Sequence, residues 1–132
     1  MRHILDYCDT FIAGLESRRV DYEIRRRGTM VERDPRAAID VIHRICMRLE
    51  GLSAAELAAP LEVCVRPDMS QQGTWAASSV SRELEFLFGH TIHHYALIAL
   101  LCARLGFSVP ADFGMAPSTL RYLASLDNRQ AS

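Results

Sequence analysis

The sequence predicts an all-α protein, an antiparallel four-helix bundle with a short fourth helix and room for a small extended segment near 61–66. Three observations predict it. Apolar residues recur at helical spacing over three long stretches, at about 2–17, 35–49 and 80–105. Helix starts and stops are written between them: Asp34-Pro35, Gly51, Gly106 and Pro117. Finally, 132 residues that are 49% apolar and 23% charged suffice for one core but not two, so residues 1–132 read as a single domain.

The first helix rests on Ile4, Leu5, Cys8, Phe11, Ile12 and Leu15, with Gly14 weakening it slightly. From Arg18 to Arg33 the pattern dissolves into charge around Gly28, which predicts a long surface loop. Its basic run, Arg25-Arg26-Arg27, is flanked by Glu23 and Glu32 and reads as solvated rather than as a phosphate site. Asp34 is placed to cap a second helix that has Pro35 at its first position and buries Ala38, Ile42, Ile45, Cys46 and Leu49.

Between 51 and 77, Leu61, Val63 and Val65 alternate with Glu62, Cys64 and Arg66. That predicts a short extended segment, with Pro67-Asp68 and Gly73 as turns and Trp75 in the return strand of a small hairpin. Ser78, Ser79 and Ser81 offer caps to the third helix, which runs to Leu105 and stops at Gly106. A short final helix begins at Pro117 and ends near Leu126.

The charge balance of −1 sets up no field toward nucleic acid or membrane, and neither is expected as a partner. Cys8, Cys46, Cys64 and Cys102 form no C-x-x-C pair and read as buried free thiols. With no charged segment and apolar run opening the chain, the expectation is a cytoplasmic protein. The long apolar stretch from 86 to 103 carries three histidines, which favours a buried bundle helix over a membrane span.

Those histidines are the chemical signal. His90 and His94 are spaced i, i+4, so a helix stacks them on one face, together with Glu83, Leu87, Leu97, Ile98 and Leu101 within about 80°. Two imidazoles buried side by side satisfy each other poorly, whereas a divalent cation takes one nitrogen from each. A third protein ligand is needed, and His3, at the edge of the first helix's apolar face, is the expected one. Tyr7, one turn on, is an alternative oxygen donor, and His43 leans toward solvent. Zinc or nickel fits imidazole ligation first, with iron or manganese also admissible. Thr91 stands where a zincin requires glutamate, and Leu87 where a di-iron bundle requires one.

The segments Arg2-His3-Ile4-Leu5-Asp6, Arg82-Glu83-Leu84-Glu85-Phe86-Leu87-Phe88-Gly89-His90-Thr91-Ile92-His93-His94-Tyr95, Gly106-Phe107-Ser108-Val109-Pro110 and Phe113-Gly114-Met115-Ala116-Pro117-Ser118-Thr119-Leu120 resemble the DinB-like superfamily of YfiT-type helical bundles. The resemblance implies a three-histidine metal site, which falls on His3, His90 and His94, and a homodimer. It also implies a metal-dependent enzyme, either a hydrolase or a thiol-dependent transferase or isomerase acting on a small molecule.

On that expectation Glu83 is the supporting or acid–base candidate, and its bland reading is compensation of the helix dipole in the first turn. Tyr95 reads as packing. The competing expectation is a non-catalytic bundle, such as a stress-response module, in which the histidines are structural.

Overall fold

The computed structural model describes residues 2–24, 28–66 and 73–130. The Arg25-Arg26-Arg27 run and the Pro67-Asp68 turn lie outside the described residues. The chain divides into two compact units, 1–87 and 88–132.

The first unit is mixed α/β. Helix α1 (Arg2–Ser17) ends where Arg18 adopts a left-handed φ of 58°, which turns the chain back as β1 (Arg19–Val20). Gly14 permits that return. A Cβ there would sit 2.7 Å from Cγ2 of Val20 and collide with the carbonyl oxygen of Arg19. Asp34 accepts from the Arg36 amide and caps α2 (Pro35–Glu50), while Ser53 and Glu56 close a capping box on the single-turn α3 (Ala54–Leu57).

Strands β2 (Pro60–Val65) and β3 (Thr74–Ser79) form an antiparallel hairpin, with Leu61 facing Ser78 and Cys64 facing Trp75. Strand β1 lies parallel to β2, Val20 opposite Val63, giving a three-stranded sheet ordered β1-β2-β3. The core gathers Phe11, Leu15, Val20, Tyr22, Leu61, Val80 and Leu87 from the helices, the sheet and the loop after β1.

The all-α four-helix bundle is therefore corrected to a mixed α/β architecture. The extended segment is one strand of a sheet rather than an excursion from a bundle. Residues 18–33 are not simply a surface loop, because they supply β1, a single 3-10 turn (Met30–Glu32), the fully buried Val20 and the buried Tyr22. The expected buried thiols are also corrected. All four cysteines are free, but Cys46 is exposed and the others are only partly covered. In α2 only Ile45 is fully buried.

Helix α4 (Val80–Arg104) starts in the first unit and continues into the second. Ser79 Oγ accepts from the Arg82 amide at its start. At its end Gly106 takes a φ of +79° while the Phe107 amide bonds the Cys102 carbonyl at 2.9 Å.

In the second unit, the loop before α5 (Pro117–Gln130) runs directly against α4. Phe113 stacks on Tyr95 with centroids 4.7 Å apart, and a Cβ on Gly114 (φ +79°) would lie 2.7 Å from the Ala96 Cα. Helix α5 runs one turn beyond its expected end. Helix α4 is long and apolar enough, by composition, to cross a membrane. Its expected buried stripe is confined to Val80, Glu83 and Leu87, whereas Leu97, Leu100, Leu101 and Leu105 are exposed.

Candidate functional site: the imidazole pair of α4

One turn of α4 separates His90 from His94, and the structure brings their Nε2 atoms to 2.8 Å. The ring centroids are 4.6 Å apart and tilted by 58°, so the two nitrogens converge on one point beside the helix. Both rings are half-buried. Burial, and secondarily the adjacent His93, holds the His94 pKa below the usual imidazole range. His93 itself is exposed and meets His94 edge-on at 5.4 Å between centroids.

Two chemistries produce such a contact. One neutral imidazole can donate Nε2–H to the other, or both lone pairs can address the same cation. A tetrahedral ion with nitrogen ligands at about 2.0–2.1 Å spaces them by about 3.3 Å. A small opening of the two χ angles would admit it, so the donor set fits a divalent metal.

His3, the expected third ligand, stands on α1 in the first unit, its ring edge-on to Tyr7 with centroids 4.8 Å apart. Tyr7, the alternative oxygen donor, stacks on Tyr22 at 5.1 Å with the rings nearly parallel. His43 is exposed on α2, as its position on the helix predicted. Tyr95 packs against Phe113, also as expected.

Glu83 has a different partner set from the one expected. Its side chain is buried and accepts from Tyr22 Oη at 2.9 Å, Ser78 Oγ at 2.6 Å and Arg82 Nη1 at 3.2 Å. Burial and the facing carboxylate push the Tyr22 phenol strongly upward, so it stays a neutral donor. This network ties the loop after β1 and the end of β3 to the first turn of α4. Sequence reasoning missed Tyr22 because 61 residues separate it from Glu83. An aromatic residue inside a charged stretch was the available signal.

Two further features of the first unit were not anticipated. Arg66 forms a two-pronged pair with Asp21, each contact 2.6 Å, and those hydrogen bonds lower the Asp21 pKa. A half-enclosed cleft of about 770 Å³ also opens along α1.

No family model matches the chain, and no solved structure matches it. The chain is similar to FK506-binding protein 5 of Rhizopus delemar, 39% identical over 105 residues, which is 79% of this chain. The match spans only about a quarter of that relative, 27% of its length.

These findings overturn the resemblance to the DinB-like superfamily. They also overturn the metal-dependent helical-bundle enzyme, hydrolase or thiol transferase, that the resemblance implied, together with its alternative, a non-catalytic bundle. The similarity found is to an FK506-binding protein, and the first unit is built on a sheet.

Proposed function

We propose that this chain is a binding module that holds a divalent cation, zinc or nickel first and iron or manganese next, on the imidazoles of His90 and His94. The observation that carries the proposal is the 2.8 Å convergence of the two Nε2 atoms on one helix face. His3 is proposed as the third ligand, since two imidazoles alone leave a tetrahedral ion short of protein donors.

Elemental analysis of untagged protein prepared without chelator is the test, run beside a His90→Ala, His94→Ala double variant. About one equivalent of metal in the parent and none in the variant is the expected result. A parent that stays metal-free after titration with zinc and with nickel overturns it. His3→Ala is expected to weaken zinc binding at least tenfold. Unchanged affinity would remove His3 from the ligand set and leave the pair.

A second reading comes from the relative's name. Its matched quarter, 39% identical to this chain, is proposed to carry FK506 recognition into this protein. Titration calorimetry with FK506 tests it. Saturable binding by this chain supports the reading, and its absence overturns it.

A further inference from the structure

The cleft along α1 is built entirely from the first unit, between α1, β1, the 3-10 turn and α2, with Trp75 of β3 at its rim. Its volume of about 770 Å³ falls within the range of small-molecule sites, roughly 300–1,000 Å³. Leu5, Ile12, Ala13, Val31 and Val41 give it an apolar floor and wall.

Five charged side chains also reach the wall, and each is already paired. Asp6 is held by Arg2 at 2.8 Å, Asp9 by Arg44 at 3.1 Å, Asp21 by Arg66 at 2.6 Å, and Arg19 by Glu62 at 2.8 Å. The Arg19 guanidinium also lies 4.9 Å from the centroid of the Trp75 ring. A charged ligand would have to break one of these pairs to gain a partner, so the wall selects a neutral one.

The hydroxyls on the wall differ in the same respect. Thr10 donates to the Asp6 carbonyl at 2.8 Å and Ser17 to the Gly14 carbonyl at 3.3 Å. Thr29 precedes the 3-10 turn without capping it, and its buried Oγ1 has no hydrogen-bond partner among the described residues. A buried hydroxyl left unsatisfied carries a desolvation cost, which a polar group on a bound molecule would offset.

We propose that this cleft binds a small neutral organic molecule with an apolar body and one polar group that hydrogen-bonds Thr29 Oγ1. Trp75 is the chain's single tryptophan, so its emission reports the rim directly. The probe is N-phenyl-1-naphthylamine, neutral and apolar with one N–H, compared with its anionic relative 8-anilino-1-naphthalenesulfonate.

Saturable one-to-one binding of the neutral probe is expected, with energy transfer from Trp75 and at least about tenfold weaker binding of the anionic one. Ala13→Phe places a ring in the cleft from the exposed face of α1 and is expected to weaken the neutral probe about tenfold or more at unchanged circular dichroism. Val41→Phe, entering from α2, does the same if Ala13→Phe does not fold. Thr29→Val, which keeps the shape and removes the hydroxyl, is expected to weaken binding about threefold.

Wild-type affinity in a folded cleft-filling variant overturns the proposal, as does the absence of saturable binding. Equal affinity for the two probes overturns the neutral selection. Chelator treatment, which reports on the histidine pair, is expected to leave the probe's affinity unchanged.

Discussion

The two units of this chain bury their apolar residues very differently. In the first, Phe11, Val20 and Val80 are wholly inaccessible, and the sheet, α1 and the start of α4 share one core. In the second, Leu100, Leu105 and Phe107 are 61%, 73% and 66% exposed, and its order rests on helix hydrogen bonding, the Tyr95–Phe113 stack and the close approach at Gly114. Apolar composition alone therefore does not locate the core. Within the first unit the most hydrophobic helix of the sequence contributes to it through Val80 and Leu87, which pack with Val20, Tyr22 and Leu61.

The sharpest test of that difference pairs one truncation from each unit. Phe11→Ala empties a fully buried site and is expected to cost about 3–5 kcal/mol in denaturant unfolding. Leu100→Ala removes an exposed side chain and is expected to stay within about 0.5 kcal/mol. A cost of several kcal/mol at Leu100 would break the comparison, since it would mean that this face of α4 is packed in solution.

Next in size is the polar knot that holds the start of α4 to the sheet. Glu83→Ala leaves Tyr22 Oη and Ser78 Oγ without their acceptor in a buried place, and about 3 kcal/mol of destabilisation is expected. Tyr22→Phe removes one donor while Ser78 and Arg82 remain, so about 1–2 kcal/mol is expected there. A double-mutant cycle measures their coupling, and additivity of the two changes would show that the 2.9 Å contact is energetically idle.

How much of this was legible follows from the sequence distance of each interaction. The caps at Asp34 and Ser79, the ends of α1 and α2 and the His90–His94 pairing are set by residues within a few positions of one another, and the hairpin by the alternation along β2 and the Trp75 segment that follows it, so each can be read from spacing. Strand β1 is only two residues long, too short for any alternation to show, and it exists because Gly14 lets Val20 lie against α1 and because β2 waits 43 residues on. The single-turn α3 is likewise below the length at which a period can be counted. Glu83 was visible as a charge on the apolar face, but its true partner Tyr22 belongs to a stretch whose charges hid it.

Asp21 carries a smaller and pH-dependent effect. Hydrogen bonds from Arg66 hold its carboxyl below the usual range, so the folded state binds that proton less readily than the unfolded chain does. The resulting stability is present above about pH 4, the unfolded aspartate value, and is lost as pH falls through the lower folded value. Because Arg66 is partly exposed and solvent screens the pair, Asp21→Asn is expected to cost only about 1 kcal/mol at pH 7. Unfolding of both proteins at pH 7 and pH 3 checks this. The gap should narrow at the lower pH, and a gap that widens would assign the effect to something other than the carboxylate.

The smallest expected effect probes the turn that lets the first unit form its sheet. Arg18 holds a left-handed φ of 58° directly after α1, a position where helices usually place glycine because a Cβ there meets the following carbonyl. Among the described residues it is Arg19, not Arg18, that makes the ion pair with Glu62. Arg18→Gly relieves the strain, about 1 kcal/mol, while freeing the unfolded chain, which takes part of that gain back. A net stabilisation of about 0.5 kcal/mol is expected in denaturant unfolding at unchanged slope. Because the turn feeds β1 and the core, hydrogen exchange should slow at Val20 and Glu62. Unchanged exchange at both positions would show that the left-handed turn does not limit the opening of the β1–β2 pairing.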